Sequence, residues 1–319
     1  MGFVPEPTSP TSDSRFPTAS AMRADGEFYP FDQQRARGDE AELRRIAVEL
    51  AEAAAAHVRV RRPEVFGPAG APADAVQTKG HPTDPVTVLD KESEQLIRRL
   101  LAERRPADAI VGEEEGGRFN TADDQVHWVV DPIDGTVNFL YGVPAYAVSV
   151  AALRGGHPVA GAVVDIVAAD TYSAALGQGA TRTAADGSVE RLSCNPVDAL
   201  PLALVSTGFA YSAVRRTRQG ALVALVLPRV RDIRRFGAAA LELCNVACGR
   251  VDAYYEHGLN SWDWGAGALI AAEAGARLVL PPATAGGVEG ELVVAAAPGI
   301  AEKLVALLTE VGATAAIPE

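Results

Sequence analysis

Two carboxylates stand close together in Trp128-Val129-Val130-Asp131-Pro132-Ile133-Asp134-Gly135-Thr136-Val137-Asn138-Phe139, the stretch of the chain richest in chemistry. An apolar run delivers Asp131 to a strand end, Pro132 fixes φ, and Asp134 follows three residues on. Gly135 permits the close backbone approach by which N–H groups at a turn or helix start face an anion. Upstream, Ala109-Ile110-Val111 runs into Gly112-Glu113-Glu114-Glu115, and far downstream Trp262-Asp263 opens an Ala- and Gly-rich apolar helix. If Glu113, Asp131, Asp134 and Asp263 shared one cleft, each pair about 4 Å apart would repel by roughly 4 kcal/mol at an effective dielectric of about 20. Such a cluster requires cations. Oxygen ligands with no obligatory Cys or His favour hard Mg²⁺ over zinc, and two such ions would make an acidic site attractive to phosphate. The residues alone leave a second reading open, in which Asp131 and Asp134 only form an Asx turn or cap a helix.

Taken together, Glu113 in its Gly-Glu-Glu context, Asp131-Pro132-Ile133-Asp134-Gly135-Thr136-x-Asn138-Phe139, and Trp262-Asp263-x-x-Ala266-Gly267 resemble the lithium-sensitive inositol monophosphatase family. The similarity is greatest to its actinobacterial inositol-1-monophosphatase type and runs from about Glu40 to the C-terminus. Lys79, Asp84, Val86, Thr87 and Asp90 match a further Lys and Asp-x-Val-Thr-x-x-Asp pattern of that family. The resemblance implies that Glu113, Asp131, the Ile133 carbonyl, Asp134 and Asp263 bind Mg²⁺, with Asp131 bridging two ions and the need for a third left open. It implies that Asp90, Glu113 and Thr136 are catalytic. The Thr136 hydroxyl would donate to Asp90 while accepting a proton from the attacking water. Asp90 also reads as a helix N-cap before Lys91-Glu92-Ser93, and the two roles are compatible.

For the substrate, the same resemblance points to Ile133, Asp134, the N–H groups of Gly135 and Thr136, Arg234, the Gly237-Ala238-Ala239 helix start, Glu256 and Asp263. Ala238 stands where some members carry Thr, so a hydroxyl contact is missing there while the backbone contact remains. Glu256 would accept hydrogen bonds from substrate hydroxyls; its alternative is an exposed strand-end carboxylate. The implied enzyme is a Mg²⁺-dependent phosphomonoesterase acting on inositol 1-phosphate, by in-line attack of water without a phosphoenzyme, inhibited by lithium and assembled as a homodimer. Histidinol phosphate, fructose 1,6-bisphosphate and a 3′-phosphoadenosine nucleotide are alternative substrates for the same chemistry. A reading of another class, a non-catalytic RNA-processing or transcription partner, is suggested by Arg215, Arg216, Arg218, Arg229, Arg231, Arg234 and Arg235. Cys244 and Cys248 lack further metal partners nearby and read as buried small side chains, and His157 and His257 as exposed turn residues.

These residues need a framework, and 319 residues with 48% hydrophobic and 22% charged content supply enough apolar material for a large core. A net charge of −12 argues against a general nucleic-acid or anionic-membrane partner, because both surfaces repel the molecule on average. Three cysteines suggest a reducing, cytoplasmic setting, and no segment has the apolar length of a membrane span or of a signal-peptide core. Residues 1–38 lack any apolar period and read as a flexible tail. Leu43, Ile46, Ala47, Leu50, Ala51 and Ala54 recur at helical spacing, a loop is expected from Arg61 to Gly80, and a second helix from Lys91 to Arg104. Five short β-rich runs between Ala109 and Ala175 suggest a meandering, largely antiparallel sheet, and strands alternate with helices after Pro196. Residues 39–196 thus read as an α+β metal-binding half, and residues 197–319 as a smaller α/β half closing a cleft. The resemblance implies an α+β fold layered as an α/β/α/β/α sandwich, like that of inositol monophosphatases and fructose bisphosphatases.

Overall fold

Alanine-rich periodicity from Glu40 builds a long helix whose buried stripe of Leu43, Ile46, Ala47, Leu50, Ala51, Ala54, Ala55 and Val58 lies on a sheet. In the computed structural model, which describes residues 28–32, 36–67, 75–79, 84–119 and 124–319, this helix α1 spans Glu40–Val65. It continues past Arg61, where the sequence predicts a loop. The Pro63 turn is held from outside, because Arg62 donates to the Phe139 carbonyl at 2.9 Å and Phe66 packs edge-on to Phe139. The rest of the expected loop holds β1 (Val76–Thr78), which pairs antiparallel with β2 (Pro85–Thr87); residues 68–74 and 80 lie outside the described set.

Helix α2 (Val88–Arg104) begins three residues before the expected start, because Thr87 caps it and Asp90 returns a bond to the cap. Then follow β3 (Ala109–Gly112), β4 (Val126–Asp134), the short α3 (Thr136–Tyr141), β5 (Ala147–Arg154), β6 (His157–Asp165), β7 (Thr171–Ala175), β8 (Ala180–Thr183) and β9 (Val189–Arg191). β3 to β9 form one seven-stranded sheet in chain order, antiparallel except for the parallel β3–β4 pair. Pro132 cannot donate to a ladder, and it sits where the β4–β5 register shifts between Asp131 and Asp134.

The remaining elements are β10 (Leu204–Thr207), α4 (Ala213–Val226), β11 (Asp232–Arg234), α5 (Ala239–Ala247), β12 (Ala253–His257), α6 (Ser261–Glu273), β13 (Arg277–Val279), β14 (Leu292–Ala296) and α7 (Ala301–Glu310). Their sheet has the order β11-β10-β12-β14-β13, with β10 parallel to both neighbours and β14 antiparallel to both of its own. α1 and α2 cover one face of the large sheet, while α5 and α6 fill the space between the sheets. Leu304, Leu307 and Leu308 of α7 and Val226 of α4 pack on the far face of the small one. The architecture is the α/β/α/β/α sandwich. β5 and β6 are buried along nearly their whole length because helices lie on both faces.

The flexible-tail expectation needs correction at residues 28–32. The Tyr29 N–H bonds the Leu278 carbonyl of edge strand β13 at 2.7 Å, and the Arg277 guanidinium lies 3.8 Å from the Phe28 ring centroid. Aromatic side chains in an otherwise polar stretch supply the burial that the composition alone conceals. Residues 1–27 and 33–35 of that expectation lie outside the described set. Among the described residues no helix is long and apolar enough to cross a membrane.

Candidate active site

A cavity of about 300 Å³ is lined by Asp84, Glu113, Asp131, Ile133, Asp134, Gly135, Thr136, Gly237, Ala239, Glu256 and Asp263, together with residues the sequence reading did not select. Its acidic side chains arrive on different elements. Asp131 and Asp134 end β4, Glu113 follows β3, Asp84 precedes β2, Glu256 lies on β12 and Asp263 in the first turn of α6.

Each carboxylate is held by local backbone. Asp131 accepts the Ile133 N–H at 3.1 Å, and Asp134 accepts Ala239 N–H at 3.1 Å and Ala240 N–H at 2.7 Å, taking up free donors at the start of α5. Asp263 accepts the Asn260 N–H at 2.7 Å in a reciprocal cap. Gly135 turns the chain from β4 into α3 with φ of 90°, and a Cβ there would lie 2.9 Å from the Ala145 carbonyl oxygen, so glycine alone fits.

Burial, reinforced by the charges of Glu113, Asp134 and Asp263, holds the Asp131 carboxyl well above the usual carboxylate range. Asp263 is raised likewise by burial and then by Glu113 and Asp134. Burial pushes Asp134 up to about 7 against the opposing pull of the two helix N–H groups. Lys79 lies 2.6 Å from both Glu113 and Glu114; burial works against its charge, yet the two carboxylates outweigh it and hold its pKa above the ordinary lysine value. Among the described residues no three acidic, His or Cys side chains converge closely enough to cage an ion as they stand. They line a common cavity instead.

A cap contributes about 1 kcal/mol and a helix dipole at most about 2, less than the roughly 4 kcal/mol repulsion of one close carboxylate pair. The donor set of carboxylates plus the Ile133 carbonyl, in a cavity where burial and neighbouring negative charge raise the Asp131 carboxyl, therefore fits hard divalent cations.

The Thr136 hydroxyl lies 3.2 Å from Asp90 Oδ1 and 3.0 Å from the Ile133 carbonyl. Asp90 Oδ2 accepts the Thr87 N–H at 2.8 Å and the Thr87 hydroxyl. The cap of α2 is thus Thr87 rather than Asp90, and Asp90 serves cap and Thr136 together. Burial pushes Asp90 up to about 7.

Arg234 is placed differently from the expectation. Its side chain is 44% exposed, with a nitrogen 2.5 Å from Asp232, and the neighbouring Arg235 lines the cavity instead. Successive side chains at a strand end point opposite ways. Ala238 is buried beside Gly135, while Gly237 and Ala239 reach the cavity wall. Glu256 accepts the Tyr254 hydroxyl at 2.5 Å and is pushed up to about 7 by burial, with the Tyr254 bond and Arg235 opposing. His257, expected at an exposed turn, is 2% exposed on β12; burial lowers its pKa to about 4, and its ring bonds the Ala313 carbonyl at 2.7 Å. His157 starts β6 and bonds the Tyr29 hydroxyl. Cys244 is buried and Cys248 half-buried, both as free thiols.

The sequence reading also passed over Glu242, whose Oε1 accepts the Phe236 N–H at 2.8 Å and so fixes the turn bearing Arg235 and Gly237. Much of the arginine stretch is engaged within the fold. Arg215 is buried on the Ile317 and Val288 carbonyls, Arg216 meets the Ala210 and Tyr211 carbonyls, Arg229 pairs with Glu310, and Arg231 bonds the Leu202 carbonyl.

Residues 39–313 match the family described as the inositol monophosphatase family. Inositol-1-monophosphatase SuhB of Mycobacterium tuberculosis is 56% identical over 284 residues, covering 88% of this chain and 97% of the relative. The solved structure of Mycobacterium tuberculosis SuhB superposes with a TM-score of 0.73 at 52% identity, over 86% of this chain and 98% of its own. A Nus factor SuhB of Vibrio cholerae is 37% identical over 207 residues, 64% of this chain and 75% of the relative.

Proposed function

Because the chain belongs to the inositol monophosphatase family, we propose that its cavity hydrolyses inositol 1-phosphate to inositol and phosphate, with Mg²⁺ held by Glu113, Asp131, the Ile133 carbonyl, Asp134 and Asp263. The chain is an enzyme, an inositol-phosphate phosphatase. Asp131 would be among the residues that hold Mg²⁺, and the cations would supply Lewis-acid chemistry there, lowering the pKa of a water and offsetting negative charge on the ester.

The protein's own groups do the rest. Thr136 and Asp90 form the proton-handling pair: the hydroxyl donates toward Asp90, which leaves an oxygen lone pair to accept a hydrogen from the attacking water. Glu113, held by Lys79 at 2.6 Å, would help hold that water. Asp134, held by two helix N–H groups, would offer its carboxylate to a cation in a fixed orientation. Gly135 and Thr136 N–H groups receive phosphate oxygens at the start of α3. Glu256 accepts and Arg235 donates on the alcohol side, with Gly237 and Ala239 beside them, a pairing suited to neighbouring hydroxyls of a polyol.

The observation that carries the reading is the Thr136–Asp90 hydrogen bond standing at the edge of a cavity ringed by four family-matched carboxylates. The test is kcat/KM for inositol 1-phosphate, histidinol phosphate, fructose 1,6-bisphosphate and 3′-phosphoadenosine 5′-phosphate, each with Mg²⁺, with EDTA and with added lithium. We expect inositol 1-phosphate to lead, EDTA to abolish turnover and lithium to inhibit. A lead for any other ester overturns the substrate assignment, and turnover in EDTA overturns the ion assignment. The homodimer belongs to the same proposal and is read by sedimentation.

A further inference from the structure

Asp90, Ser93 and Glu94 stand at i, i+3 and i+4 on α2 and therefore share one face; all three are 0% exposed. Each meets a different part of the candidate site. Asp90 receives the Thr136 hydroxyl, and the Ser93 hydroxyl donates to the Pro132 carbonyl at 3.4 Å. Glu94 reaches the turn after β3, where its Oε2 accepts the Glu114 N–H at 2.7 Å and its Oε1 accepts the Glu115 N–H at 3.0 Å.

An ionised carboxylate is kept in an interior only when it is paired and hydrogen-bonded. Arg98 answers the charge from the next turn of α2, with Nε 2.8 Å from Glu94 Oε1 and another nitrogen donating to the Gly116 carbonyl at 2.7 Å. Gly112 makes the room: a Cβ there would lie 2.2 Å from Glu94 Oε1 and 2.5 Å from Oε2. Backbone bonds of 3.0 Å in both directions between Gly112 and Gly116 close the turn around the carboxylate. The residue inside this turn that faces the cavity is Glu113, whose N–H bonds the Val130 carbonyl at 3.2 Å just before Asp131.

We propose that Glu94 is a positioning residue for divalent-cation binding. It locks the 112–116 turn so that Glu113 is presented beside Asp131. Through Asp90 and Glu94, one helical face sets the water-activating threonine and a cation ligand in register. The inference rests on the reading that the cavity holds Mg²⁺.

The test is calorimetric Mg²⁺ titration of the metal-free full chain, without substrate, for the wild type, Glu94→Gln, Gly112→Ala and Glu92→Gln. Thermal unfolding of each metal-free protein is recorded alongside. Glu94→Gln keeps the shape but loses the charge and one acceptor. Gly112→Ala keeps every charge and displaces the Glu94 carboxylate with a methyl group, so it carries the comparison if Glu94→Gln does not fold. Glu92 faces Arg61 and His57 on another side of α2 and serves as the control.

Removing a hydrogen-bonding support of a metal ligand weakens metal affinity by roughly 10- to 100-fold, and both test variants should show this while Glu92→Gln binds as the wild type does. Wild-type Mg²⁺ affinity in Gly112→Ala overturns the proposal, as does lower metal-free stability with unchanged affinity, which leaves Glu94 a merely structural residue. A wild type that binds no Mg²⁺ overturns instead the ion reading on which the inference stands.

Discussion

Gly208 follows β10 directly and lies against Glu256, and its replacement by alanine isolates the alcohol side of the site from the phosphate side. A Cβ at this position would lie 1.8 Å from Glu256 Oε2 and 2.2 Å from its Cδ, where ordinary contact begins at 3.4 Å. The carboxylate must therefore retreat by about 1.6 Å, the difference between 3.4 and 1.8 Å. Such a shift breaks the 2.5 Å bond from the Tyr254 hydroxyl and takes the oxygens out of reach of a substrate hydroxyl. A hydrogen bond to a charged group contributes about 1.5–3 kcal/mol, which corresponds to roughly 10- to 150-fold in kcat/KM. The assay is steady-state kinetics on inositol 1-phosphate beside phenyl phosphate, an ester without hydroxyls on its alcohol. Gly208→Ala should lose that factor on the inositol ester, mostly in KM, and leave phenyl phosphate and the Mg²⁺ midpoint unchanged. Equal losses on both esters, or none on either, would refute the assignment of Glu256 to the polyol.

Other expectations follow from the same geometry. Asp131→Asn keeps the oxygen that accepts the Ile133 N–H but removes the bridging charge, so kcat at saturating Mg²⁺ should fall by more than about 100-fold. In EDTA the ionised form of Asp131 is disfavoured by burial and by Glu113, Asp134 and Asp263, so the unfolding temperature of the wild type should fall more steeply with rising pH than that of the variant. Thr136→Ala should lower kcat by a factor on the order of 10²–10⁴ while Thr136→Ser retains most activity; an active alanine variant excludes Thr136 from proton handling. The metal-free protein should lose stability as pH rises. Burial raises Glu242 to about 8, and Glu256 and Asp134 to about 7, so between the unfolded carboxyl value and these figures the folded state binds more protons than the unfolded one. His257, lowered to about 4, opposes this below 6.5, but it is one group against several raised carboxyls, Asp90 at about 7 among them. Mg²⁺ binds the ionised carboxylates, so the rise in unfolding temperature it produces should be large at pH 8 and small at pH 5.5; a pH-independent rise contradicts the assignment.

The acidic motif was legible in the sequence because its chemistry is packed into consecutive residues from Asp131 to Thr136, and because family resemblance tied it to Glu113 and Asp263. The helices and central strands were legible for a different reason, since α1 repeats its apolar positions with the helical period and β5 and β6 are short, nearly continuous apolar runs bounded by turn residues. What escaped the reading depends on partners distant in sequence. The last turn of α1 survives Pro63 because Phe139 holds it, and strands β8, β9 and β13 are three or four residues long with little apolar pattern of their own. Arg234 and Arg235 are indistinguishable by type, and only the twist at the end of β11 decides which one turns inward. Glu94 and Gly208 carry no signal at all until the turn or carboxylate they accommodate is placed beside them.

The two readings of the aspartates, as turn and cap residues or as metal ligands, prove compatible in geometry, and the reason is electrostatic. Asp90 and Asp263 occupy the third position of α2 and α6, Asp134 closes the first turn of α5, and Thr136 opens α3, so the starts of α3, α5 and α6 line one cavity and that of α2 meets it through Thr136. A helix start carries partial positive charge and free N–H donors, and it orients a carboxylate without neutralising it. The caps fix where each oxygen points, while the charge they leave uncompensated is what the proposed divalent ions would answer. A site built from neutral caps such as Asn or Ser would hold the same helices in place with less repulsion, and would lack the charge to draw in the ions that phosphate then follows. The retained acidity is therefore a cost to the metal-free fold borne at the place where the chemistry needs it.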